Sequence, residues 1–210
     1  MKILFFGDSI TEMCRNYETD DVFGLGNGFV FYVAGDIKSK DPSVEIINRG
    51  ISGHRIVDLY ARVKRDVWNL KPDVLNILVG VNDIWHEIDR QNGVDLERFI
   101  KVYDMLISDT LKELPNLKII ICEPFVLKGI ATEKNYERFL EVKEYAKAIR
   151  SLAEKYSLEF LPLQEKFDQA AEKTSPKNYL YDGVHPDVAG ARLIADEWMK
   201  LYNKLSLKNN

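Results

Sequence analysis

The sequence predicts an α/β protein, a three-layer α/β/α sandwich built on a five-stranded parallel sheet. Three observations lead there. Short β-rich runs alternate with longer helical patterns along the chain, the signature of β-α units with right-handed crossovers. Several of the short runs are apolar almost throughout, as strands covered on both faces must be. A polar, Gly-bearing stretch follows one strand after another, as expected of loops gathered at one edge of such a sheet.

The elements follow in order. Lys2–Phe6 reads as the first strand, and Gly7-Asp8-Ser9 ends it with turn-forming residues. Phe29–Lys40 reads as a helix, entered through the flexible Gly24–Gly28 stretch. Val44–Asn48 is the second strand, Ile56–Asn69 the next helix and Val74–Val79 the third strand. Asp95–Glu113 is a long helix, and Leu117–Cys122 is the fourth strand. Tyr136–Tyr156 reads as one helix, its Glu/Lys/Arg-rich part a solvated face with i,i+4 pairs. Leu158–Leu161 is the fifth strand, followed by a helix over Gln164–Glu172. Asp187 caps a last helix reaching about Tyr202, with Val188, Ala191, Ile194, Ala195 and Trp198 along one side. Ser206–Asn210 is expected to fray.

At 210 residues, residues 1–210 read as a single domain large enough to bury a core without a staple. A net charge of −4 gives no reason to expect a nucleic-acid partner. No apolar run approaches the ~20 residues of a membrane span, and the opening residues are too short for a secretory core. The two cysteines, Cys14 and Cys122, read as free thiols, so a cytoplasmic location is expected. Gly24-Leu25-Gly26-Asn27-Gly28 lies outside the first strand-to-helix turn, where a dinucleotide fingerprint belongs.

The loops after the strands carry the chemistry. Ser9 follows the first strand, Asn48 to His54 the second, Gly80-Val81-Asn82-Asp83 the third, and Asp182 to Pro186 comes after the fifth strand and a helix. A serine hydroxyl needs a base, and the base needs a third group to fix its tautomer. Of three histidines, His185 has an acid three residues upstream, Asp182, able to bond its Nδ1–H and leave Nε2 for Ser9. Attack on an acyl carbon creates an oxyanion. The Ser9 and Gly53 N–H groups and the Asn82 amide are the expected donors, Gly53 letting the backbone approach closely. Asp83 reads as structural and Asp8 as a loop organiser. His54 and His86 sit beside these loops but read first as packed or solvated. No pair of histidines has metal-ligand spacing, so neither metal nor other cofactor is expected.

Four blocks, Gly7-Asp8-Ser9-Ile10, Asn48-x-Gly50-x-x-Gly53, Gly80-x-Asn82-Asp83 and Asp182-x-x-His185-Pro186, resemble in order those of the SGNH (GDSL-type) hydrolase family. The resemblance implies a flavodoxin-like fold and a metal-free serine esterase. It also implies Ser9, Asp182 and His185 as the catalytic triad, with Gly53 and Asn82 in the oxyanion hole. GDSITEMCR, GLGNGFVFYV, NRGISGHRIVDLYAR, VGVNDIW and DGVHPDVAG are further similar to the acetylxylan-esterase-like branch. That implies removal of acetyl groups from carbohydrate, with Trp85 lining the substrate pocket; Asp8 and His54 are further candidates for that pocket. His54 departs from the smaller amide-type residue expected there. Alternatives are a lysophospholipase- or thioesterase-like acylhydrolase and a catalytically silent carbohydrate-binding protein. The expected partner is a small acylated substrate, an acetylated sugar; aromatic-rich helices are also compatible with a homo-oligomer.

Overall fold

The computed structural model describes residues 1–207. Its five strands are β1 (Lys2–Gly7), β2 (Glu45–Gly50), β3 (Val74–Leu78), β4 (Lys118–Cys122) and β5 (Glu159–Leu161). They form one parallel sheet in the order β2-β1-β3-β4-β5. The sheet is thus the expected one, with boundaries shifted by a residue or two.

The helices are α1 (Ser9–Glu12), α2 (Phe29–Lys38), α3 (Ile56–Asp66), α4 (Val81–Arg90) and α5 (Leu96–Glu113). Then come α6 (Tyr136–Phe139), α7 (Val142–Lys155), α8 (Gln164–Lys173) and α9 (Val188–Leu207). The single helix expected over Tyr136–Tyr156 is therefore split by Leu140 and Glu141. The Ile56–Asn69 helix closes at Asp66, and Trp68–Leu70 form a separate 3₁₀ turn. The last helix runs past Tyr202, and Ser206, expected to fray, is still helical; residues 208–210 lie outside the described residues.

The core explains why the strands read as unbroken apolar runs. Ile3, Leu4, Phe5 and Phe6 are fully buried, although successive side chains leave a strand on opposite faces. Phe5 meets Phe29 of α2 and Trp198 of α9, at centroid distances of 5.6 and 5.2 Å. Phe6 turns the other way, to α3, where the Arg62 guanidinium lies 4.3 Å from its ring centre. Both faces are covered, so neither can alternate with polar residues. Burying each such ring contributes roughly 1.5–3 kcal/mol.

One polar residue breaks the pattern in the middle of the sheet. Asn76 of β3 is fully buried, and its Oδ1 accepts from Trp198 Nε1 and from Cys122 Sγ, each at 3.0 Å. It ties the last helix to the central strand. Among the described residues, Cys14 and Cys122 are free thiols and no helix is long and apolar enough to cross a membrane.

The strand order also locates the site. The chain leaves β1 for β2 on one side, then returns past β1 to β3 on the other. Connections diverging from one strand open a crevice beyond its carboxyl end. The residue after β1 therefore sits between the loops that follow β2 and β3.

Candidate active site

Asp8 ends β1 and starts α1. Its Oδ1 accepts the Ile10 N–H at 3.0 Å, capping the short helix and placing Ser9 at its first position. The Ser9 Oγ lies 2.9 Å from His185 Nε2, and His185 Nδ1 lies 2.6 Å from Asp182 Oδ2. With Nδ1–H donating to the carboxylate, Nε2 is left as acceptor for the serine O–H. The other carboxylate oxygen, Oδ1, accepts the N–H groups of Val184 at 2.9 Å and His185 at 2.8 Å. The acid is thus fixed at both oxygens.

Burial opposes charge on the His185 ring, but the bonded Asp182 carboxylate outweighs it and raises the imidazole pKa above its ordinary value. For Asp182, burial favours the neutral acid, but the His185 bond and the two backbone N–H groups prevail. Its pKa falls below the usual carboxylate range.

The loop carrying the pair is held from behind. Leu127 N–H donates to Gly183 O at 2.8 Å and Ala131 N–H to Asp182 O at 2.9 Å. Gly129 is packed so tightly there that a Cβ on it would stand 2.4 Å from the Asp182 carbonyl carbon and the Gly183 nitrogen. This segment between β4 and α6 was not foreseen as part of the site; a Gly between the apolar Phe125-Val126-Leu127 run and Thr132 was its only signal.

The opposite wall comes from the loops after β2 and β3. Gly53 has φ +78°, a conformation costly for residues with a side chain. Neither its N–H nor that of Ser9 has an acceptor among the hydrogen bonds of the described residues. Asn82 lies in the first turn of α4, and its Nδ2 donates to His54 O at 3.2 Å and Asp8 Oδ2 at 3.4 Å. Both are long, so an anionic acceptor could displace either.

The other expected residues divide clearly. Trp85 is half-buried, its ring 5.9 Å from that of His185 and 5.7 Å from Phe139. His54 turns inward, its Nδ1 accepting from Arg62 Nε at 3.0 Å. Burial and the Arg62 charge lower its pKa, so it is a neutral wall residue whose carbonyl holds Asn82. His86 approaches Gly53, its Nε2 3.8 Å from where a Cβ would stand. Asp83 is buried and caps α3 by accepting the Ile56 N–H at 3.1 and 3.3 Å, as its structural reading required.

Asp8 is a correction. Expected at the substrate pocket, it has no exposed surface, because capping α1 turns its carboxyl into the protein beneath Asn82. Burial pushes its pKa up to about 7, against the pull of the Ile10 N–H and of His185. Tyr181 was missed in the other direction. Although readable as core, it is exposed and stacks on His185 at 5.7 Å with rings 16° apart, whereas Phe125 is indeed core. Its place four residues before His185, in a loop already marked by Asp182, was the available signal. Among the described residues, no group of three or more His, Cys, Asp or Glu could hold a metal ion.

The profile of the GDSL-like lipase/acylhydrolase family matches residues 5–193. The chain belongs to this family. Like other GDSL-type hydrolases it is a carboxylic ester hydrolase, and its five-stranded parallel sheet is that of the SGNH fold. An acetylxylan esterase from Geobacillus stearothermophilus is 33% identical over 205 residues, spanning 95% of this chain and 92% of the relative. The crystal structure of that organism's acetylxylan esterase Axe2 superposes with a TM-score of 0.85 at 30% identity, covering 95% of this chain and 92% of the other. A GDSL-like-lipase structure from Parabacteroides merdae gives a TM-score of 0.89 at 36% identity, with coverage of 95% and 94%.

Proposed function

We propose that this GDSL-type hydrolase is a serine esterase that removes short acyl groups, acetyl above all, from carbohydrate hydroxyls through an acyl-enzyme. The observation that carries the reading is the unbroken chain from Ser9 Oγ through His185 to the Asp182 carboxylate, at 2.9 and 2.6 Å. The similarity to acetylxylan esterases over 95% of the chain supports the substrate class. Solved Axe2 variants called catalytic replace one serine, one aspartate and one histidine, the last two three positions apart. Asp182 and His185 share that spacing.

The chemistry follows from the positions. His185 Nε2 takes the Ser9 proton as Oγ attacks the ester carbonyl carbon, and Asp182 stabilises the imidazolium that forms. The carbonyl oxygen becomes an oxyanion, received by the Ser9 and Gly53 N–H groups and by one Asn82 N–H released from its long internal bond. Collapse breaks the bond to the alcohol oxygen, which takes the proton from His185. The same ring then removes a proton from water, whose oxygen attacks the acyl carbon; as the bond to Ser9 Oγ breaks, His185 returns the proton to Oγ and acetic acid leaves.

A serine-directed fluorophosphonate should label the native protein and not Ser9→Ala. Hydrolysis of nitrophenyl acetate should exceed that of the octanoate. Absence of labelling, or equal labelling of both proteins, would favour a silent carbohydrate-binding role. Preference for octanoate would favour a long-chain acylhydrolase instead.

A further inference from the structure

A cavity that the chemistry above does not use is lined by Tyr181, the residue stacked on His185. It is a cleft of about 480 Å3, within the roughly 300–1,000 Å3 typical of small-molecule sites. One wall comes from the segment between α1 and α2, with Met13 and Asn27, and from the first turn of α2, with Phe31. The other comes from Tyr181 and the start of α9, with Asp187 and Val188. Phe31 is 44% exposed, Tyr181 53% and Val188 68%. A single exposed apolar side chain needs no explanation, but three converging on one concavity leave apolar surface where a ligand would cover it.

The position of this cleft relative to the reacting atoms decides which part of an ester it could take. Oxyanion donors lie on the Gly53 and Asn82 side. The leaving alcohol must lie near His185 Nε2, which hands it a proton. Tyr181 stacks on the His185 ring, and Pro186, which also lines the cleft, is the next residue in the chain. The cleft therefore begins beside the ring that hands the leaving alcohol its proton.

The lining has a matching chemistry. A pyranose or pentose ring presents apolar C–H faces and hydroxyl edges, so it is best held by flat aromatic surfaces with a few polar groups between them. Phe31 and Tyr181 supply the surfaces, and the exposed Asn27 and Asp187 side chains supply hydroxyl partners.

We propose that this cleft is the subsite for the saccharide that bears the acyl group, with Phe31 and Tyr181 as its aromatic walls. The proposal rests on the carbohydrate esterase reading and says where on the molecule the sugar chain lies.

The test separates binding from turnover. Ser9→Ala protein, which cannot form an acyl-enzyme, is titrated calorimetrically with unacetylated xylo-oligosaccharides of one to four units. Affinity should rise with length over the first two or three units, and adding Phe31→Ala should weaken the longer ligands about five- to tenfold, the loss of one aromatic contact. Phe31→Trp in the same background should retain or improve binding. In the Ser9-intact enzyme, Phe31→Ala should lower kcat/KM for acetylated xylobiose relative to methyl acetate by a similar factor.

Equal affinities with and without Phe31→Ala, or no dependence on length, would overturn the subsite. So would a Phe31→Ala effect confined to octanoyl esters, which would make the cleft an acyl site. A change of oligomeric mass in light scattering with saccharide affinity unaltered would assign the face to a second copy of the chain and equally overturn it. If the native enzyme hydrolyses no acetyl ester at all, the esterase reading fails, while the Ser9→Ala titration still judges the cleft.

Discussion

Asp8 and His185 both gain protons more readily than usual, for opposite reasons, and the difference can be measured. Asp182 raises the His185 pKa above its ordinary 6.5 despite burial. Only the neutral ring can accept the Ser9 proton, so kcat/KM should fall on the acid side with a midpoint above that value. Asp182→Asn removes the charge, so the acid limb should move to lower pH while the rate drops by about 10⁴, the cost of losing the correct tautomer. A pH–rate profile of both proteins reads this, and an unmoved limb would count against His185 as the base. Asp8 is neutralised by burial, with a folded pKa of about 7 against 3.8 for a free aspartate. Between those values the folded state holds a proton the unfolded chain lacks, so stability should fall as pH rises through that window. The difference, 7 minus 3.8, corresponds to about 4 kcal/mol as an upper figure. Asp8→Asn should flatten this part of the stability curve, read as melting temperature at pH 5 and pH 8. It also sets an amide donor against Asn82 Nδ2, so turnover should fall about 10²-fold, as for loss of one oxyanion donor. The meeting of Ser9, Asp182 and His185 was legible because the proposed nucleophile, base and orienting acid are residue types with few substitutes. The burial of Asp8 was not, because capping and pocket lining call for the same carboxylate.

Helix α4 was legible in outline yet unread. Val81, Ile84, Trp85 and Ile88 recur at helical spacing, but Gly80-Val81-Asn82-Asp83 carries the composition of a loop. Its first turn is therefore both helix and site wall, which lets a rigid element hold Asn82. The 127–132 segment behind Asp182 left a fainter trace, because its function is steric and lies in what Gly129 lacks. Gly129→Ala would force a Cβ to within 2.4 Å of the backbone at Asp182 and Gly183, and that backbone must shift. Misplacing a catalytic group by about 1 Å can cost 10²-fold, so kcat should fall by about that factor although residue 129 touches no reacting atom. The accompanying signature is loss or displacement of the downfield proton resonance of the His185–Asp182 bond. Unchanged activity would show that the loop behind the acid does not set its position.

On the scale of the whole molecule, the site joins the two ends of the chain. Ser9 and His185 are 176 positions apart, and their contact depends on α9 lying against α2 beside β1. That placement was legible only as topology: β-α alternation put the loops on one edge, but nothing local said how a segment following β5 returns to β1. The structure supplies the return through α9, whose Trp198 packs on Phe5 and bonds Asn76 in the central strand. Helix α9 and the site should therefore be lost together when the sheet core unravels. In urea, activity, tryptophan fluorescence and far-ultraviolet circular dichroism should give one coincident transition. Trp198→Ala removes a fully buried ring, a change that costs about 3–5 kcal/mol, and should lower the melting temperature by roughly 10 °C for a chain of this size. Below its new midpoint the variant should keep near-native kcat, since Trp198 lies away from the reacting atoms. If activity instead disappears at urea concentrations where the helical and tryptophan signals are intact, the serine and histidine are held together by the site loops alone and their contact does not depend on α9 keeping its seat on the sheet.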